Sequence, residues 1–188
     1  VVDVGRCYYN GILSGDITSD VNLDNVNLNC ENGPAIYIEK ADKVFITVKE
    51  NTVNTISCGE SFNEAYDNAD GAIFSRVDLT INGSGNLDVT GNYKCGIVSK
   101  DDLNIVDTKL TVTSKGTAIE GKDCVKITSS DITVNADTDG IKATNNEDGT
   151  RGYVLIDSGT LNITAQNDGI QAETAVKILG GEFDIVSG

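Results

Sequence analysis

The chain contains no histidine, no tryptophan and no methionine, a single proline, and only 5% aromatic residues in 188 positions. Without histidine there is no Ser-His-Asp or Cys-His relay, so nucleophilic catalysis of those kinds is excluded. Zinc sites would have to be built from thiolates. The five cysteines, Cys7, Cys30, Cys58, Cys95 and Cys124, include no CxxC pair, and their spacing does not supply such a cluster. Their odd number leaves at least one thiol unpaired within the chain. Cys7 and Cys30 lie 23 positions apart, which allows a stacked contact or a disulfide.

Basic residues are also scarce: 14 against 29 acids, for a net charge of -15. A phosphate backbone or an anionic membrane would be repelled by such a chain, so nucleic acid is not an expected partner. No apolar run approaches the ~18 to 20 residues that span a bilayer. The opening VVDVGRCYYN lacks the basic and apolar regions of a signal peptide.

What fills the chain is Val, Ile, Leu, Thr, Asn, Asp and Gly, a mixture suited to short β-branched strands separated by polar turns. A period organises it. Ile73, Ile97, Ile119, Ile141 and Ile170 recur at spacings of 24, 22, 22 and 29 residues. A second ladder runs through Ile81, Ile105, Ile127, Ile156 and Ile178, and a third through Val89, Val112, Val134, Ile163 and Ile185. Ile36, Ile46, Leu23, Val26 and Leu28 continue the pattern more loosely. Three short strands in each period of about 22 residues predict an all-β fold, a right-handed parallel β-helix of about eight coils. The chain is expected to form one domain, 1–188, with loop insertions near 51–71 and 145–152. Insertions in solenoids project from one side, often the binding side. Because the chain stops at Gly188 after a third strand without an amphipathic cap, it is expected to continue or to have that end covered by a partner.

Within this register DTDGIKAT (137–144) and QNDGIQAE (166–173) stack, which places Asp139 and Asp168 about 4.8 Å apart at the backbone. Two carboxylates at that distance repel by roughly 1 kcal/mol in water and by 3 to 4 at an effective dielectric of 20. A hard divalent ion would convert repulsion into coordination. The expected calcium ligands are Asp137, Asp139, Asn167 and Asp168, with Glu147 and Asp148 from the insertion. A second acidic row, Asp78, Asp101-Asp102 and Asp123, has Lys100 and Lys122 beside it. There a self-neutralising ladder is expected.

The segments GIVSKDDLNI (96–105), AIEGKDCVKI (118–127), DGIKATNNEDGTRGYVLIDSGTLNITA (139–165) and NDGIQAE (167–173) together resemble a family of bacterial, largely clostridial, surface carbohydrate-binding domains. The resemblance runs from about Ala72 onward and implies a pectate-lyase-like β-helix, calcium sites, and binding of plant cell-wall polysaccharide, including acidic pectin, outside the cell or at its surface. Lys94-Cys95-Gly96 departs from the Asn-Asp-Gly expected there. Calcium-dependent pectate lyases are similar in placing aspartates before glycine in successive coils, and Asp139, Asn167 and Asp168 match that arrangement. If the chain were such a lyase, Lys142 or Arg151 would be its base. DTDG is also similar to the NTDG motif of polygalacturonases, but their Gly-His-Gly cannot exist here, so that hydrolase is rejected.

Lys142, Arg151, Tyr153 and Gln171 are the side chains expected to touch a ligand, and Tyr66, Tyr93 and Tyr153 are candidates for stacking on sugar rings. Three functions are therefore expected, in this order: calcium-assisted, non-catalytic binding of an acidic polysaccharide; a calcium-dependent lyase; and a structural surface stalk or adhesin.

Overall fold

The structure, a computed structural model, describes residues 18–188. Most strands of sheet B alternate between inward, mainly apolar residues and outward polar ones. Ser130–Ala136 is typical, with Ser130, Ile132, Val134 and Ala136 buried and Asp131, Thr133 and Asn135 exposed. Such strands bury one face only when stacked, and here they stack in parallel into three sheets.

Sheet A contains Thr18–Leu23, Lys43–Val48, Asp78–Asn82, Asp102–Val106, Cys124–Thr128, Tyr153–Ile156 and Ala175–Ile178. Sheet B contains Asn27–Cys30, Val53–Cys58, Asn86–Gly91, Lys109–Ser114, Ser130–Ala136, Gly159–Ala165 and Glu182–Ser187. Sheet C contains Ile36–Ile38, Gly71–Ser75, Cys95–Ser99, Ile119–Gly121, Ile141–Ala143 and Ile170–Ala172. The chain visits A, B and C in turn, rung after rung. Parallel strands connected this way wind right-handed, so the fold is a right-handed parallel β-helix, with seven rungs among the described residues.

The three apolar ladders pair in register. Ile36, Ile73, Ile97, Ile119, Ile141 and Ile170 stack in sheet C. Val21, Ile46, Ile81, Ile105, Ile127, Ile156 and Ile178 stack in sheet A. Leu28, Ile56, Val89, Val112, Val134, Ile163 and Ile185 stack in sheet B. Their middle members form one continuous buried core. The corner from A to B turns on one residue with positive φ in each rung: Asn25, Asn51, Gly83, Asp107, Ser129, Gly159 and Gly181. Asn and Asp tolerate that region better than branched residues do.

Two details differ from expectation. The expected insertion 51–71 begins with a regular strand of sheet B, Val53–Cys58, and only 59–70 leaves the rung. The strand escapes pattern recognition because Asn54 stands where later rungs carry Leu87 and Leu110. Asn54 is fully buried. Its Oδ1 accepts the Val26 N–H at 2.9 Å, and its Nδ2 donates to Thr52 Oγ1 at 2.9 Å. The loop also folds back instead of projecting: Ala69 packs with Phe74, Cys95 and Val98, flanked by Tyr37, Phe62 and Tyr66. Cys7 lies outside the described residues, and with it the expected pairing to Cys30, whose register partner is Cys58.

Candidate functional site

The outward column of sheet C reads Tyr37, Phe74, Val98, Glu120, Lys142 and Gln171 along the axis. The 59–70 loop covers its first half, where Tyr37 stacks on Phe74 at 5.6 Å and meets Tyr66 edge-on at 5.3 Å. Beyond the loop the column turns polar and half-exposed. Lys100 stands at the boundary, its Nζ 3.2 Å from both Asp70 Oδ2 and Glu120 Oε1 and 5.6 Å from the centre of the Phe74 ring. Burial opposes its charge, but Glu120 and Asp70 outweigh that and hold its pKa above the ordinary value. Two acceptors on this face, Asp70 Oδ1 and Gln171 Oε1, are buried with no hydrogen-bond partner.

Asp139 and Asp168 do stack at the corner between sheets B and C. Asp139 is 6% exposed, and Lys142 Nζ donates to its Oδ2 at 2.8 Å. Its Oδ1 accepts the backbone N–H of Asp168 at 3.3 Å, and Thr117 Oγ1 reaches Oδ2 at 3.5 Å. The repulsion expected between the two aspartates is thus offset by an ammonium and an N–H. Lys142 in turn is held above its ordinary pKa, first by this hydrogen bond and then, against partial burial, by the charges of Asp139, Glu120 and Glu173. Asp168 and Asn167 are exposed. Exposed Asp137 pairs with Lys115 at 3.5 Å and accepts from Gln166 Nε2 at 3.4 Å.

A calcium ion at Asp139 would have to compete with the Lys142 ammonium, which already neutralises this carboxylate. Among the described residues, the acidic group whose ligand atoms converge within 4.8 Å is Asp78, Asp101 and Asp102. That row is salted by Lys43 to Asp78 at 3.5 Å, Lys126 to Asp102 at 3.2 Å and Arg151 to Asp101 at 3.7 Å. Burial, then Asp78 and Asp102, raise the Asp101 pKa against the pull of Arg151.

The 145–152 insertion lies at the opposite edge of sheet C, at its corner with sheet A. Glu147 and Asp148 are therefore not brought together with Asp139 and Asp168. Arg151 clamps the carboxylate of buried Asp123, to which Asn145 Nδ2 also donates at 2.5 Å. Asn145 Oδ1 accepts the N–H groups of Glu147 and Asp148, each at 3.0 Å. Exposed Asp148 accepts from Thr150 N and Oγ1, which lowers its pKa. These contacts form a clasp over an open, charged cleft of ≈ 320 Å³ between Lys100, Lys122, Glu147 and Arg151. Tyr153 faces out from sheet A beside Lys126, 5.7 Å from its ring centre.

Sequence reasoning missed Glu120, Asp70, Lys100 and Thr117 as parts of this face. One signal was available for Glu120: it follows ladder residue Ile119 as Lys142 follows Ile141 and Gln171 follows Ile170.

A family model of carbohydrate-binding domain-containing proteins matches residues 13–188. The chain belongs to that family. The chain is 36% identical over 169 residues to a carbohydrate-binding domain-containing protein of Acetivibrio thermocellus, covering 88% of this chain and 59% of the relative. The domain thus spans less than two thirds of that relative. Among solved structures, a gadolinium derivative of the polysaccharide lyase-like protein from C. thermocellum superposes with a TM-score of 0.82 at 32% identity. The match covers 92% of this domain and 73% of that chain.

Proposed function

We propose that this domain binds an acidic, pectin-like plant cell-wall polysaccharide along the outer face of sheet C, without cleaving it, outside the cell or at its surface. The observation that carries the reading is the half-exposed file Lys100, Glu120, Lys142 and Gln171 on the outer face of sheet C, whose ammonium, carboxylate and amide groups can exchange hydrogen bonds with the hydroxyls of an extended chain. The face bears more carboxylates than ammonium groups: Asp70, Glu120 and Asp139 against Lys100 and Lys142. A uronate chain therefore needs a cation at the contact. The exposed oxygens of Asn167 and Asp168 suit a calcium ion recruited together with the ligand's own carboxylates.

Binding is favoured over β-elimination because neither expected base is poised. A base must accept a proton within reach of its substrate. Lys142 is held protonated by Asp139, and Arg151 is clamped to Asp123 at the far corner. Retention on polygalacturonate, with calcium and with chelator, tests the proposal. Retention lost on chelation, with no rise in the ultraviolet absorbance of an unsaturated product, supports it. A calcium-dependent absorbance rise would assign the lyase activity, and no retention with or without calcium would leave a structural stalk.

A further inference from the structure

We infer that Cys30 and Cys58 are a redox pair, which an oxidising disulfide closes into a staple between the first two described rungs of sheet B. The two residues are register partners at the ends of Asn27–Cys30 and Val53–Cys58, and both are thiols in the structure. They point the same way. Each follows its ladder residue, Leu28 or Ile56, by two positions, so both side chains face inward while Asn29 and Ser57 before them face out. Neighbouring strands lie ~4.8 Å apart, inside the range of about 4.4–6.8 Å between Cα atoms that a disulfide spans. The corner that follows draws the two rungs together. The Gly59 N–H donates to the Cys30 carbonyl at 2.6 Å, and a Cβ at Gly59 would meet the Glu31 carbonyl oxygen.

Register singles out this pair. Among the described residues the other cysteines stand apart in different sheets, Cys95 beside Gly71 in sheet C and Cys124 between Asp102 and Tyr153 in sheet A. Burial, with nearby carboxylates, pushes their pKa up to about 12 and about 11, which withholds the thiolate that disulfide exchange needs. Cys30 is half-buried and Cys58 has no exposed surface, and this sets the order of events. The Cys30 thiolate attacks one sulfur of an external disulfide, such as oxidised glutathione, and expels one glutathione thiolate. The Cys58 thiolate then attacks the Cys30 sulfur of the mixed disulfide and expels the other. The two protein thiols lose two protons and two electrons, and the glutathione disulfide takes them up as two thiols. The new bond joins positions 30 and 58 and so restricts the unfolded chain.

The experiment exposes the reduced protein to oxidised glutathione at neutral pH, alkylates it in denaturant, and digests it with trypsin and an aspartate-directed protease. Together these cut between Cys7 and Cys30 and again between Cys30 and Cys58, so mass spectrometry identifies the partners. A peptide pair joined through Cys30 and Cys58 is expected, with Cys95 and Cys124 alkylated. The oxidised protein should melt at least about 5 °C above the reduced one. Cys58→Ala gives that position the residue found at Ala136 and Ala165 in the same column, so it should fold, and it should show no such difference. A link from Cys7 to Cys30, Cys30 halted as its glutathione adduct, both thiols still alkylated after oxidation, or one melting temperature in both states would each overturn the inference.

Discussion

Lys142 Nζ lies 2.8 Å from Asp139 Oδ2, three positions away in sequence, at the edge where sheet C meets its corner with sheet B. That pair gives the expected metal carboxylate an ammonium partner, and holds the expected base as a cation that keeps its proton. Lys142→Met should lower stability by about 1–3 kcal/mol, because it strands a buried carboxylate, discounted for the partial exposure of Lys142. The pH dependence has a definite sign. The folded-state pKa of Lys142 lies above 10.5, so the contribution is complete below 10.5 and fades as pH rises through the folded value. Urea denaturation from neutral to strongly alkaline pH should show a constant gap between wild type and variant that closes only at the alkaline end.

Arg151→Ala should release the 145–152 clasp and leave Asp123 with Asn145 as its remaining side-chain partner. A loss of about 2–4 kcal/mol is expected, since one partner of a buried ion pair is removed, discounted because Arg151 itself is half exposed. Limited proteolysis should then cut between 146 and 150 faster than in wild type. Unchanged cleavage would show that the backbone bonds alone hold the loop.

Gly140→Ala tests why Asp-Gly recurs in these turns. Gly140 is not among the residues with positive φ. A Cβ there would sit 2.5 Å from the Gly169 carbonyl oxygen and 2.6 Å from Ile163 Cγ2. Glycine is needed for the close approach of the next rung, and the substitution should cost about 1–3 kcal/mol in chemical denaturation. A variant as stable as wild type would mean the rungs can part without penalty.

Asn54→Ala should cost about 1–3 kcal/mol, since it leaves the Val26 N–H without its side-chain acceptor. Asn54→Leu restores apolar volume but not that acceptor. It should therefore recover only part of the loss in melting temperature.

Calcium alone should move the melting temperature little, because the exposed Asn167 and Asp168 do not form a closed site without a ligand. Calcium with polygalacturonate should raise it, as any ligand selective for the folded state does. A large shift with calcium alone would instead identify a resident ion.

The ladders were legible because parallel stacking places like residues on like positions: Ile97, Ile119 and Ile141 are 22 residues apart in sequence and paired in space. The strand Val53–Cys58 was not, because a buried asparagine broke its apolar alternation. The stack of Asp139 on Asp168 was also legible. Its chemistry was not, since Lys142 follows Asp139 by three residues whether it bends back to the carboxylate or extends into solvent. Nor could spacing tell which edge of sheet C the 145–152 insertion occupies.

The sequence by itself determined the period, the three strands of each rung and the identity of the core, because those depend on alternation along one strand and repetition between rungs. Only the tertiary structure decided which carboxylates are already neutralised, where the two insertions fold back and which acceptors lack partners. Those outcomes depend on side chains meeting across corners, where rotamer and loop path set the distance and no repeat records them.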